Sequence, residues 1–228
     1  MLLYPINLNI KDKLCVVIGG GGVALRKVRG LLAARAKVRV VSPEVVDDMQ
    51  ALAQAGEIEW LRRGYVYGDL LKASLVFAAT NNRVVQEQIA AEAEKHDVLM
   101  NSGDDPQGSD FHLPASFRRG QLLITVSTSG GSPALSSRLR RQLECEIGPE
   151  YEQLVYLLSL IREKVVGLDE KTASHTILFH RLLELPLVEL VKEKNWFKVQ
   201  MLLLEELPAD IDGVAIMKRF IERHGSDC

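Results

Sequence analysis

Two short stretches of the sequence carry residues able to do chemistry. The first is Gly19-Gly20-Gly21-Gly22-Val23-Ala24, which in register fits G-x-G-x-x-G/A. In that pattern the first glycine allows a tight turn and the second lets bare main chain touch a pyrophosphate. The small third position, Ala24, lets the following helix pack close to the preceding strand. A helix start then offers N–H groups and a positive dipole end to the phosphates. The plainer reading of the run is a structural tight turn. The second stretch is Asn101-Ser102-Gly103-Asp104-Asp105-Pro106. Paired carboxylates in a Gly/Pro turn are commonly turn formers. At the ligand edge of an open α/β sheet, one of them could instead serve as a general base.

Around these stretches stand residues that would complete a nucleotide site. An acid for the ribose hydroxyl is expected about 20 residues beyond the glycines, yet Ser42 stands there, followed by Pro43 and Glu44. Glu44 would repel a 2′-phosphate, so NAD is favoured over NADP. Arg39 lies within the second strand and is no evident phosphate clamp. Ala79-Thr80-Asn81-Asn82 follows another strand; Thr80 and Asn81 face the cofactor edge on one reading, and the stretch caps the next helix on the other.

A third feature is a charge bias. Residues 111–143 hold five arginines (Arg118, Arg119, Arg138, Arg140, Arg141) and no Asp or Glu, in a chain of net charge −2. They form either a solvated helix face and hairpin turn or a pocket for a polyanion, since guanidinium pairs with carboxylates through two parallel hydrogen bonds. Ser127, Thr128 and the glycines before Ser132-Pro133 add hydroxyls ahead of a helix start. No Gly-Lys-Ser/Thr follows, which argues against a phosphate loop. The histidines show no metal-ligand spacing. His96 ends a helix pattern, and His112 is the only one near Asp104 in sequence.

The elements that must position these residues are legible as periodicities. Strands are expected at 13–18, 37–42, 57–61, 75–80 and 97–101, and helices at 23–36, 43–56 and 82–96. Such alternation with short links implies right-handed crossovers and a parallel sheet covered on both faces. After Pro106 the texture changes to an antiparallel hairpin turning at Arg118-Arg119-Gly120. A helix follows, capped by Ser132 with Pro133 at its first position. From Pro149 onward only helical patterns remain, and the Met/Leu stripe of MLLLEEL (201–207) is expected to be core.

Composition fits this division. The chain has 228 residues, 47% of them hydrophobic and 25% charged, enough for one or two domains with a real core. The charge balance excludes nucleic-acid binding by bulk charge. No apolar run approaches the roughly 18 residues of a membrane span, and the N-terminus has no signal-peptide pattern. Cys15, Cys145 and Cys228 are far apart and in no CxxC spacing, so reduced thiols in a cytoplasmic protein are expected.

Four stretches together resemble the precorrin-2 dehydrogenase / sirohydrochlorin ferrochelatase family, the N-terminal module of siroheme synthases and its stand-alone relatives. They are YPINLNIKDKLCVVIGGGGVALRKV, VVSPE, LVFAATNN and NSGDDPQGSDFHLPASFRRGQLLITVSTSGGSPALSSRLRRQLE, in order over residues 4–147. The resemblance implies an NAD-dependent oxidation of precorrin-2 to sirohydrochlorin, with ferrous iron as a further substrate in some members. It implies nucleotide contacts at Gly22, Val23, Pro43 and Glu44, alongside Gly19, Gly21, Ser42, Thr80 and Asn81 from the residue reading. It places the essential carboxylate at Asp104 and a hydroxyl position at Thr128. Arg118, Arg119, Arg138, Ser127 and Thr128 are the expected substrate contacts, and a tetrapyrrole with eight carboxylate side chains suits such cations. The resemblance also implies a homodimer intertwined through the central segment, which competes with the pocket for the arginines. The expected organisation is an NAD-binding Rossmann-like domain at 1–113, an α+β dimerisation and substrate segment at 114–147, and a helical domain at 148–228. No metal site, nucleic-acid partner or membrane contact is expected. A rival from another class is a nucleotide-sensing module that binds NAD without redox turnover.

Overall fold

In the computed structural model, which describes residues 2–103, 108–166 and 172–225, the strand LCVVI forms β1 (Leu14–Ile18) and is buried on both faces. Cys15 and Val17 join one apolar cluster, Val16 and Ile18 the other, as a two-residue side-chain period requires. The elements that follow are α1 (Gly22–Ala33), β2 (Lys37–Val41), α2 (Asp47–Gln54), β3 (Ile58–Leu61), β4 (Leu75–Ala78), α3 (Arg83–Lys95) and β5 (Leu99–Ser102). The five strands are parallel in the order β3-β2-β1-β4-β5. This is a Rossmann-like sheet.

The two faces explain where a ligand can lie. Val28, Leu31 and Met49 of α1 and α2 pack with Val17, Val38 and Val40 on one side; Ile89 and Ala93 of α3 pack with Val16, Ile18 and Met100 on the other. The connections after β1 and β4 therefore leave the sheet toward opposite faces. A crevice opens between them at the carboxyl edge, where open α/β sheets bind ligands. Each fully buried Val, Ile or Met here contributes about 1.5–3 kcal/mol of transfer free energy.

The helix expected over 43–56 begins later, at Asp47. Pro43 and Glu44 stay in a loop that folds over the glycine run, and the Val46 N–H reaches the Gly20 carbonyl (2.9 Å). The β3–β4 crossover contains no helix. It is held by two carboxylates instead. Asp69 takes Arg63 in a two-point pair (2.6 and 2.7 Å) and the Val66 N–H (2.9 Å). Glu92, fully buried on α3, accepts the Tyr65 hydroxyl and the Gly68 and Leu70 N–H groups (both 3.0 Å).

The chain divides into two compact units, 1–113 and 114–228. The second holds both stretches expected as separate domains, the hairpin with its helix and the helical region. β6 (Ala115–Arg119) and β7 (Leu122–Val126) pair antiparallel through Gly120, whose φ of +55° suits the turn. α4 (Pro133–Glu146) is capped by Ser132, whose Oγ accepts the Leu135 N–H. Then come α5 (Glu150–Val165), α6 (Thr172–Glu184), α7 (Leu187–Lys192), α8 (Trp196–Glu206) and α9 (Gly213–His224), packed on Leu157, Ile161, Leu182, Leu203, Met217 and Phe220. The MLLLEEL stripe is only partly core: Leu203 and Leu207 are buried, while Met201 and Leu204 are exposed at 43% and 45%. The four consecutive apolar residues 201–204 span more of the helix circumference than one core-facing stripe. Among the described residues no helix is long and apolar enough to cross a membrane.

Candidate cofactor and catalytic site

The four glycines divide into two pairs. Gly19 has φ +129°, and a Cβ on it would run into the main chain of Ala79 at the end of β4. A Cβ on Gly20 would strike the Glu44 carbonyl and come within 2.8 Å of Ser42 Oγ. These two are bare because the protein's own main chain lies against them. Around Gly21 and Gly22, by contrast, a Cβ would meet nothing within 4 Å. Those two, exposed together with Val23, face open space at the start of α1. Gly21 is the N-cap and supplies no side chain, and the first turn holds no acid. Uncapped N–H groups, bare main chain and the positive helix end fit a dinucleotide pyrophosphate.

The flanking residues are held in place by local hydrogen bonds. Ser42 is buried; its Oγ donates to the Glu44 carbonyl (2.6 Å) and its own carbonyl accepts Trp60 Nε1–H (2.9 Å). Its hydroxyl thus shapes the loop, while Pro43 and Glu44 are exposed beside the glycines. Arg39 pairs with Glu59 on the neighbouring strand (2.7 Å), away from any phosphate role. On the β4 side, Asn82 caps α3 through the Val85 N–H (3.2 Å), and Thr80 Oγ1 accepts the Asn82 N–H (3.3 Å). Asn81 is exposed at the same edge.

Asp104, with Asp105 to Gln107, lies outside the described residues. The anchors of that excursion are described. The Gly103 N–H meets the Ala78 carbonyl (3.3 Å) at the carboxyl end of β4. On the return, Ser109 Oγ accepts the Ser102 N–H (2.9 Å) and Asp110 accepts the Met100 N–H (2.8 Å). The Asp110 N–H donates to the Met100 carbonyl (2.9 Å), and Asn101 Nδ2 donates to the Phe111 carbonyl (2.9 Å). Residues 109–111 thereby cover the edge of β5. No sequence signal marks Ser109 and Asp110, because their partners, Ser102 and Met100, do not stand at a periodic spacing from them.

In the second unit the expected substrate residues separate. Arg119 is spent on the end of α4: its guanidinium donates to the carbonyls of Ile147 (3.1 Å) and Glu144 (3.0 Å), groups a helix C-terminus leaves unsatisfied. Arg140 pairs with Glu144 on the same helix. Arg118 and Arg138 are exposed. Thr128 Oγ1 accepts the Ser132 N–H (3.0 Å) and lies 3.1 Å from Ser136 Oγ, bracing the loop before α4, and Ser127 Oγ accepts the Ser129 N–H (3.2 Å). Among the described residues no group of three or more His, Cys, Asp or Glu could hold a metal. Burial pushes the Cys15 thiol up to about 11, an inert core group.

Sheet order, crevice and bare helix start define a dinucleotide-binding protein. The family described as "Putative NAD(P)-binding" matches residues 6–115. Siroheme synthases of Chromobacterium violaceum and Thioalkalivibrio sulfidiphilus are each 35% identical to the chain. The matches cover 84% and 83% of this chain, and 41% and 39% of theirs. The chain thus spans about two fifths of the length of these curated relatives. A solved structure described as "SirC, precorrin-2 dehydrogenase" superposes with a TM-score of 0.71 at 26% identity, covering 86% of this chain and 98% of that one. The chain belongs to the precorrin-2 dehydrogenase / sirohydrochlorin ferrochelatase family.

Proposed function

We propose that the protein catalyses the NAD-dependent dehydrogenation of precorrin-2 to sirohydrochlorin, a step of siroheme biosynthesis. The observation that carries this reading is the open pair Gly21–Gly22 at the start of α1, across the sheet edge from the Gly103 entry to Asp104. Bound NAD supplies the hydride acceptor. The main chain of Gly21, Gly22 and Val23 holds its pyrophosphate, with Gly19 shaping the turn. Ser42, Pro43 and Glu44 border the adenosine ribose, where Glu44 disfavours a 2′-phosphate; Thr80 and Asn81 line the far side of the crevice.

The oxidation removes two electrons. A hydride leaves the substrate for the cofactor and a proton leaves for a base, the role we give to Asp104. Arg118 and Arg138 are the exposed cations offered to substrate carboxylates, beside the hydroxyls of Ser127 and Thr128. The same carboxylate would take pyrrole N–H protons were ferrous iron inserted as a second substrate. We further infer a homodimer formed through residues 114–147. The hairpin buries only Phe117 and α4 only Ser136, while Leu135 and Leu139 stand exposed. A two-stranded hairpin so thinly covered needs a partner surface. A cytoplasmic location goes with this reading.

The test is to incubate the protein with precorrin-2 and NAD and follow sirohydrochlorin absorbance. Turnover is expected, and its loss in Asp104→Ala with NAD affinity unchanged. NAD binding without any turnover would replace the enzyme with a nucleotide-sensing module. Ferrous iron added in a second stage decides whether metal insertion is also catalysed.

A further inference from the structure

On the rim of the core-facing stripe of α1 lies a cation with no carboxylate partner among the described residues. Ala24, Val28 and Leu31 lie buried at helical spacing, and Lys27 falls at i+3 from Ala24 and i−4 from Leu31, on the rim of that stripe. Its ammonium therefore bends over the sheet instead of standing free in water. Nζ sits 5.4 Å from the centroid of the Phe77 ring on β4, and Phe77 meets Phe111 edge-on at 5.5 Å. Burial, followed by the like charge of Arg26, lowers the lysine pKa. Among the described residues no carboxylate pairs with it, whereas Arg29 on the same helix has Asp48 at 2.6 Å.

Its position explains what it could hold. Phe77 pairs with Val17 on one side and Asn101 on the other, at the strands that carry the glycine loop and the Asp104 excursion. Two residues beyond Phe77, about 6.6 Å along the strand, Ala79 abuts Gly19. Lys27 is five residues into α1, about 7.5 Å down the axis from Gly22. It thus lies below the glycine loop, beside β4. A pyrophosphate at the helix start is more than a helical turn away; the ammonium lies over the buried Phe77 ring, with the half-buried Phe111 beside it.

We propose that Lys27 is a substrate anchor: its ammonium pairs with a carboxylate side chain of the tetrapyrrole, beside the half-buried Phe111. This deepens the dehydrogenase reading and rests on it for the identity of the substrate. The anchor fixes position and takes no part in hydride or proton transfer.

The experiment compares wild type with Lys27→Met, which keeps the stem and removes the charge, and with Lys27→Arg. Equilibrium binding of sirohydrochlorin is followed by fluorescence quenching, with NAD titration and thermal melting measured in parallel. Lys27→Met is expected to weaken sirohydrochlorin binding and raise the precorrin-2 KM by at least tenfold. NAD affinity and Tm should stay in place, and Lys27→Arg should recover binding to within threefold. Sirohydrochlorin binding by Lys27→Met within twofold of wild type overturns the proposal, as does a loss confined to NAD. Because binding is read without turnover, a wild type that binds the tetrapyrrole but does not oxidise precorrin-2 would sink the dehydrogenase reading and leave the anchor standing.

Discussion

The main chain of Gly20 packs against the Glu44 carbonyl so closely that no Cβ fits between them. The same strap is tied by the hydrogen bond from the Val46 N–H to the Gly20 carbonyl (2.9 Å) and by Ser42 Oγ on the Glu44 carbonyl (2.6 Å). Half of the glycine run thus serves the fold and half faces open space. Gly20→Ala should destabilise the first unit by about 1–3 kcal/mol through overpacking. Gly21→Ala meets nothing in the protein and should leave Tm unchanged while weakening NAD at least tenfold. Thermal melting and NAD fluorescence titration on both variants check this. Equal loss of stability in the two would refute the division.

Glu92 is a buried carboxylate with three donors, the Tyr65 hydroxyl and the N–H groups of Gly68 and Leu70. Burial, reinforced by that carboxylate, pushes the Tyr65 phenol well above its ordinary value. Removing one partner strands the others, and an unsatisfied buried group costs about 1–3 kcal/mol. Tyr65→Phe should cost about 1–2 kcal/mol by this route, and Glu92→Ala more, since it also leaves a cavity. Chemical denaturation gives both values. A neutral Glu92→Ala would mean that the crossover is held by something else.

Much of this molecule is legible in its sequence, for reasons that also mark where legibility stops. The alternation of β1, α1, β2, β4, α3 and β5 shows because a buried strand and an amphipathic helix leave different periods. The start of α2 does not show, because the loop over Pro43 and Glu44 is fixed by contact with Gly20, a neighbour only in the folded chain. Nothing in the spacing of Glu87, Glu92 and Glu94 marks the middle one as buried; that depends on where the 62–74 crossover lands. Arg118 and Arg119 look alike in a basic hairpin turn, yet only Arg119 reaches the end of α4. The same holds for Lys27, one cation among Arg26 and Arg29, whose place over Phe77 follows from the angle of α1 across the sheet.

Arg118 and Arg119 should therefore fail differently. Arg119→Ala removes donors from the Ile147 and Glu144 carbonyls and should lower stability of the second unit by about 1–2 kcal/mol. Arg118 is exposed, and Arg118→Ala should leave Tm in place while raising the precorrin-2 KM by roughly twofold to fivefold, the effect of one solvent-exposed charge pair. Melting curves and steady-state kinetics on the two variants separate these outcomes. A KM effect from Arg119→Ala without a stability loss would reverse the assignment.

The Asp69–Arg63 pair sets an acid limit on the first unit. Burial alone would raise the Asp69 carboxyl, but hydrogen bonds from Arg63 and the Val66 N–H, with the charges of Arg63 and Arg39, outweigh it and hold the pKa below the ordinary carboxylate value. A group whose folded pKa is depressed stabilises the fold above its unfolded pKa and loses that contribution as pH falls through the folded value. The stabilisation from Asp69 is therefore complete at neutral pH and disappears below about pH 4. Asp69→Asn should lower Tm at pH 7, and the gap from wild type should narrow steadily as the pH is brought down through that range. A gap that stays constant from pH 7 to pH 3 would show that Asp69 contributes through shape and hydrogen bonding alone, with its ionisation uncoupled from folding.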